Sequence, residues 1–491
     1  MSNPRPALGR KASNFVPSTI RISPSVGLLL LLLASALLLS GCQSASPSTP
    51  TPTKTPTPLA AVATQAPAPA AAASQTPPSP TPLPPAATTA PVKAPTATPV
   101  PATAAPTAAP TAVPPTPAPK PAPQSSVMRS PDYGAQAFLW WRPEVADRDL
   151  QLMQDAGFNW VKQWFSWQDI EGAGRGKYDW SRTDRIVEQV EKYGLKLLVR
   201  ASPAADQANW AGNAPENSDY YAEFLSAMAT RYKGRIQAYQ IWNEPNLARE
   251  WGNKPPDPAA YAAMLAKSYK AIKAADPNAI VITAGMAPTT ADQAEAMYDT
   301  KFYDLMYQAM GGNSNGYFDM LGVHGAGYAV SPETDPGSIA SDPKLYNNDP
   351  SPADRLRVYS FRHIEDIRKI MEKYGDVNKK LAVLEFGWTF DPRPDSPYYW
   401  HGGGAGIDPY TQAQYLVNAY KWAEKNWPWV GLMSLIYMPD SEWQPTTEQY
   451  YWSIMDPSPP GQTYWRQAFM ELCLHMNEVQ GRPRCKYAPP A

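Results

Sequence analysis

One pattern constrains this chain more than any other. From about Val127 onward, short apolar runs alternate with amphipathic stretches of helical period. "YGAQAFLWW" precedes "ADRDLQLMQDAGF", and "NWVKQWF" precedes "SRTDRIVEQVEKYG", where Ile186, Val187 and Val190 form one helical face. "LKLLVRAS" precedes "SDYYAEFLSAMATRY", with Tyr221, Phe224, Leu225 and Met228 at helical spacing. The alternation continues through "IQAYQIWNEPN", "AIVITAGM", "FDMLGVHG", "KLAVLEFGW" and "GLMSLIYMPD", each with a helical partner; the sixth is "RLRVYSFRHIEDIRKIMEKYG". Strands separated by helices pair in parallel, because each crossover returns the chain to the same sheet edge. About eight such units suit a closed (β/α)8 TIM barrel. An open doubly wound sheet would want a glycine-rich first turn, and "YGAQAFLWW" offers none.

The first ~127 residues are different: they hold most of the proline and no tryptophan. Arg5, Arg10, Lys11 and Arg21 precede an apolar run from Leu28 to Leu39, too short for a membrane span, which needs roughly 20 residues. It fits the hydrophobic region of a secretory signal. The run ends at Leu39-Ser40-Gly41-Cys42, which resembles a bacterial lipobox and implies a lipidated Cys42 at the mature N-terminus; an uncleaved signal anchor is the alternative. Residues 42–127 are Pro, Ala, Thr and Ser with almost no large apolar side chain, so burial cannot offset their ordering entropy. We expect residues 1–41 to be a lipoprotein signal peptide, 42–127 a disordered semi-extended tether, and 128–491 the barrel domain. The implied location is the bacterial cell surface, with the lipid anchor as the contact to the membrane and the chain a monomer. Once Cys42 is assigned to lipid, Cys473 and Cys485 remain, an even number in an oxidising compartment: a short structural disulfide loop, or two free thiols. A net charge of -1 provides no field to recruit nucleic acid.

In a (β/α)8 barrel, function sits at the C-terminal strand ends. Glu244 lies at the end of the fourth predicted strand and Glu385 at the end of the seventh. Strict alternation puts Gln240, Trp242 and Glu244 on one face, and Leu381, Val383 and Glu385 on one face, so both glutamates look into the barrel mouth. Two carboxylates across a cleft are what glycosidic bond hydrolysis needs: one protonated to donate to the leaving oxygen, one ionised to attack the sugar carbon. Ordinary strand-end ion pairs are the structural alternative.

"WNEPN" followed three strands later by "LEFGW", with "WFSWQDIE" after strand two, resembles the clan A glycoside hydrolases, and among them the branch of β-xylosidases and bacterial exopolysaccharide hydrolases. The likeness runs in strand order from about Tyr133 to Met476. It implies a retaining enzyme with Glu244 as acid/base, Glu385 as nucleophile and Asn243 as donor to the sugar 2-hydroxyl. The clan often carries His-x-Tyr at strand six. Here "VHGAGY" supplies His324 but has alanine at 326, leaving Tyr328 to substitute from the loop. Arg200 and Lys162 are candidates to orient Glu385 and hold it ionised, or to form core-edge ion pairs.

Flat C–H faces of sugars stack on aromatic rings, so Trp140, Trp141, Trp164, Trp167, Trp210, Trp388, Trp400 and Trp443 are candidate platforms, with Trp388 and Trp443 preferred. The "HGGGAG" stretch lacks the Gly-Lys-Ser/Thr ending of a phosphate loop and reads as a mobile cleft loop. No Cys or His cluster has metal-ligand spacing, so neither metal nor other cofactor is implied. The expected partner is a polysaccharide or oligosaccharide. A carbohydrate-binding pseudoenzyme with the same groove is the rival; an inert cap on a cell-wall spacer would not need the carboxylate pair.

Overall fold

A computed structural model describes residues 131–202, 217–457 and 465–490. The expected signal segment, Cys42, the tether and Trp210 lie outside the described residues. Eight parallel strands follow one another: β1 Asp132–Gln136, β2 Trp160–Ser166, β3 Lys196–Ser202, β4 Ala238–Ile241, β5 Ile280–Thr283, β6 Leu321–Ala326, β7 Leu381–Gly387 and β8 Val430–Leu435. The sheet runs from β5 through β4, β3, β2, β1, β8 and β7 to β6. Its two ends meet at a parallel bridge between Ile282 and Met320, where Thr283 N donates to Met320 O and Met320 N to Val281 O, each at 3.2 Å. The expected (β/α)8 barrel is therefore present.

The helices are α1 Pro143–Ala156, α2 Trp167–Glu171, α3 Ser181–Lys192, α4 Ser218–Arg231, α5 Pro258–Ala275, α6 Asp299–Ala309, α7 Ala353–Leu356, α8 Ile364–Lys373, α9 Pro409–Asn426, α10 Gln449–Trp452 and α11 Gln467–Val479. Their starts follow local chemistry. Asp257 accepts from the Ala259 and Ala260 amides to open α5, and Asp408 from Thr411 N to open α9, each with proline in the first turn. Gly157 at φ 95° closes α1, a conformation costly for a residue with a Cβ. The predicted faces of α3 and α4 are buried as expected. Between 355 and 375 the single expected helix is instead broken. Arg357–Tyr359 and Phe361–His363 are 3-10 turns, and Ser360 between them is extended at φ -139°.

Two apolar layers can be separated. Trp160, Leu198, Ala238, Ile282, Met320, Ala382, Leu384 and Leu432 form a buried cluster that includes no helix residue, so it is the barrel interior. The opposite strand faces join the helices in the larger cluster. Tyrosines on the helices then bond strand carbonyls: Tyr221 to Ala201, Tyr261 to Ile241, Tyr303 to Gly322 and Tyr420 to Met433. Each such buried bond contributes roughly 0.5–1.5 kcal/mol and ties a helix to a strand. Cys473 and Cys485 are joined in a disulfide, Cα atoms 5.5 Å apart. Among the described residues no helix is long and apolar enough to cross a membrane.

Candidate active site

Both glutamates face the barrel mouth, and neither gets there by strand alternation. Strand β4 ends at Ile241, before Glu244. Trp242 has φ 72° and swings outward, its ring against Tyr221 and Trp251 and its Nε1 donating to Glu250 O at 2.7 Å. Glu244 follows at φ 41°, its amide bonded to Gly285 O at 3.1 Å. Non-glycine residues in this region cost about 1–3 kcal/mol each and persist only where surroundings over-determine them. Asn246 supplies part of that hold, bonding Ala287 O and Met297 O and accepting from Ala287 N. The expectation that Gln240, Trp242 and Glu244 share a face is thus corrected: Trp242 belongs to the outer layer.

On β7 the parity is reset by a bulge. Val323 pairs with Val383, but His324 pairs with Glu385, so Leu384 is an extra residue. Ala382 and Leu384 point inward, whereas Leu381 and Val383 pack outward with the helices. Beyond the bulge Phe386 faces outward, against Phe361 and Tyr420, and Glu385 turns inward. The expected shared face of Leu381, Val383 and Glu385 is corrected accordingly. Bulges re-aim side chains in this way at active sites.

The two carboxylates converge on His324. Its Nδ1 lies 2.9 Å from Glu244 Oε1 and 3.9 Å from Glu385 Oε2. A donor atom from each of the three residues falls within 4.8 Å of the other two. Gly285 makes room for the imidazole, since a Cβ there would sit 2.2 Å from the ring. Lys162 Nζ donates to Glu385 Oε1 at 2.7 Å and to the Leu384 carbonyl at 3.1 Å, and Arg200 Nη1 stands 4.0 Å from the same carboxylate oxygen. Burial pushes the Glu385 carboxyl up, but Lys162, His324 and Arg200 together outweigh it and hold it at about 2. Burial lowers the Lys162 ammonium in turn, opposed by Glu385. Two carboxylates and an imidazole are also a possible donor set for a divalent ion. Here the lysine and arginine already place positive charge at Glu385, where a cation would compete with both.

Asn243 is buried, and its Oδ1 accepts from Gln240 Nε2 at 3.3 Å, which leaves the amide NH2 as its donor end. Trp164 is half-buried, with Arg200 over its ring and its Nε1 on Ser202 O. Trp443 is half-buried and packs edge-on to Phe138 and Tyr437. Two expected contacts do not reach the cleft. Trp388 is 1% exposed, bonded to Val330 O and packed against Phe361 and Tyr415, because the bulge sends alternate residues after Glu385 to the helix side. Tyr328 gives its one hydroxyl proton to Pro288 O at 3.1 Å, and its ring packs with Tyr359, Trp400 and His401. It does not replace the missing strand-six tyrosine; Lys162 supplies the direct bond to Glu385 instead. Trp140 and Trp167 are also buried, Trp141 is exposed under Arg182, and "HGGGAG" folds into 3-10 turns over the backbone of Asp391. Tyr437 was missed from sequence. Burial, then the charges of Glu385, Glu448 and Glu244, push its hydroxyl well above the usual range. Its place just after β8 was the available signal.

Fold and site together define a (β/α)8 barrel with a carboxylate pair across its C-terminal mouth. The cellulase family, glycosyl hydrolase family 5, matches residues 122–320, a span that includes Glu244 and stops short of Glu385. A β-galactosidase, BbgII of Bifidobacterium bifidum, is 26% identical over 29% of this chain and 26% of its own length, so the chain spans about a quarter of that curated relative. Among solved structures, a family 39 glycoside hydrolase from Bacteroides cellulosilyticus superposes with TM-score 0.50 at 15% identity, covering 73% of this chain and 66% of its own. A glucosidase from Croceicoccus marinus gives TM-score 0.49 at 14% identity over 72% and 66%. At such identity the family 39 structure speaks for the fold alone.

Proposed function

We propose that this protein is a retaining glycosidase that hydrolyses O-glycosidic bonds of a polysaccharide by double displacement. The observation that carries the reading is the spacing of the carboxylates. One oxygen of Glu244 lies within 4.8 Å of one of Glu385, which suits the ~5–5.5 Å carboxyl separation of retaining pairs better than the roughly 6.5–9.5 Å of inverting ones. The family 5 match over the β4 motif supports the same class of chemistry.

The roles follow from the surroundings. Glu385, kept ionised by Lys162, His324 and Arg200, attacks the anomeric carbon. The bond to the leaving oxygen breaks as Glu244 gives that oxygen its proton. Glu244, now a base, takes a proton from water; the hydroxide oxygen bonds the anomeric carbon and Glu385 leaves as carboxylate. Two inversions return the original configuration. His324 bridges the pair and orients Glu244, and Asn243 offers its amide to the sugar. In the same proposal Cys42 carries lipid and residues 42–127 space the barrel from the membrane at the cell surface.

NMR of the first product tests the assignment. We expect the anomeric configuration of the substrate. Glu385→Ala should abolish turnover, while Glu244→Ala should be milder on substrates with good leaving groups and be rescued by azide, which replaces the activated water. General acid catalysis typically contributes 10²–10⁴-fold, which sets the loss expected on natural leaving groups. Inverted product, or near-normal activity in Glu385→Ala, sinks the pairing.

A further inference from the structure

At the same end of the barrel as Glu244 and Glu385, the connections after β4, β7 and β8 line an open cavity of about 650 Å³. That is within the ~300–1,000 Å³ range of small-molecule sites. Arg249, Arg393, Tyr398 and Glu448 line it, with the hydroxyls of Ser396 and Thr447. Tyr398 links the cavity to the chemistry. It packs with Tyr437, and its hydroxyl is pushed up by burial first and then by Glu448, with Glu244 also contributing.

The charges around this cavity are unequally satisfied. Arg393 is committed: Nε and Nη2 grip Asp391 at 2.8 and 2.6 Å, and Nη1 donates to Thr446 O. Arg249 differs. Its Nε and Nη2 are sealed from solvent and have no hydrogen-bond partner. These two nitrogens are the parallel edge of a guanidinium that matches a planar carboxylate in two bonds. A buried charged donor without a partner is costly, so an acceptor that reached this edge would be favoured. Bringing this edge to the cavity requires a turn of the Arg249 side chain, which would break no hydrogen bond at Nε or Nη2. Two acids line the cavity, Asp395 and Glu448, and neither is hydrogen-bonded to the Nε–Nη2 edge of Arg249. Burial and Asp391 push the Glu448 carboxyl up to about 8 against the pull of Arg393 and Arg249, so it stands mostly protonated at neutral pH.

We infer that this cavity is a subsite for a carboxylate-bearing sugar, with the Nε–Nη2 edge of Arg249 clamping the carboxylate of a uronic acid residue. The inference rests on the glycosidase reading in placing that residue within the substrate chain, and it makes the substrate an acidic polysaccharide. Protonated Glu448 and the Ser396 and Thr447 hydroxyls then meet the sugar's own hydroxyls, while Arg249 carries the discrimination against a neutral sugar.

Binding tests this without turnover. The full chain is titrated with D-glucuronate, D-glucose and D-glucose 6-sulfate by calorimetry and ligand-observed NMR. Glucuronate should bind, glucose at least about tenfold more weakly, and Arg249→Met should weaken glucuronate by a similar roughly tenfold factor or more, the loss expected for hydrogen bonds to a charged group. Arg249→Lys, which keeps the charge and loses the fork, should not restore it. Equal binding of glucuronate and glucose, or wild-type glucuronate binding in Arg249→Met, overturns the inference. Sulfate ester binding as tight as glucuronate overturns the carboxylate assignment. Melting temperatures of both variants show whether a loss reflects unfolding. Glucuronate binding that persists while no glycan is turned over would defeat the hydrolase reading and leave the subsite standing.

Discussion

Lys162 stands closer to Glu385 than Arg200 or His324 does. It is 1% exposed on its side chain, reaches the carboxylate at 2.7 Å, and is the largest of the influences that pull Glu385 down. Lys162→Met keeps the apolar stem and removes the charge. With the lysine gone, burial regains weight and the Glu385 carboxyl rises. An adjacent cation lowers a carboxyl by roughly 1–3 pH units, so the acid limb of kcat/KM should move up by about that much. An unmoved acid limb would deny Lys162 this role. Removing one partner of a buried pair also destabilises, by about 3–5 kcal/mol when nothing else compensates; Arg200 and His324 remain here, so the loss in melting should be smaller. At this scale the sequence was informative because charged residues at strand ends are rare and chemically narrow. Glu244, Glu385, His324, Lys162 and Arg200 all meet at one mouth. Tyr328 and Trp388 were misread because identity and order do not reveal where a hydroxyl proton or an indole is already committed.

The strands were legible as periods and illegible as faces. A period-2 pattern assumes an unbroken ladder. The extra Leu384 and the positive φ of Trp242 and Glu244 break it where the site begins, and no residue type announces either. The connection after β6 failed for a related reason: its apolar spacing reads as one helix, but extended Ser360 breaks it so that His363 can be buried between carboxylates. His363 Nε2 lies 2.9 Å from Asp299 on α6, and Nδ1 lies 3.2 Å from Asp366 on α8, which also binds Arg357 and Lys369. Burial lowers the imidazole, but Asp299 and Asp366 outweigh it and raise it to about 9 from 6.5. A raised histidine contributes stability that is fully present below about pH 6.5 and is lost as pH rises through about 9. Asp366 is depressed, burial being outweighed by His363 and Arg357, so its contribution is present above its ordinary 3.8 and lost as pH falls. Denaturant melts should therefore show wild type losing stability between pH 6.5 and 9 relative to His363→Gln, the difference reaching on the order of 3 kcal/mol at the acidic end of that window. Parallel curves for the two proteins across this range would refute the imidazolium bridge.

At the scale of the whole chain, the barrel and the region before it make separate demands. The barrel closes on itself through the Ile282–Met320 bridge and carries a core built from the described residues. The proposed tether contributes reach: at roughly 3.1 Å per residue in polyproline geometry, Gln43 to Ser126 spans up to ~260 Å. More than one acyl chain is needed for stable attachment, since each buried CH₂ contributes only about 0.8 kcal/mol, and the proposal puts them on Cys42. These considerations separate location from catalysis. A protein trimmed to Met128–Ala491 should fold, melt cooperatively and match the full mature protein on soluble substrate. On substrate fixed at the cell surface it should lose the advantage of attachment. Cys42→Ala in the full chain should leave the membrane fraction or accumulate as an unprocessed precursor, with activity per molecule on soluble substrate unchanged. An insoluble or inactive trimmed domain would show that the barrel needs what precedes it. Unchanged fractionation and processing of Cys42→Ala would end the lipid-anchor proposal while leaving the proposal for Glu244 and Glu385 untouched.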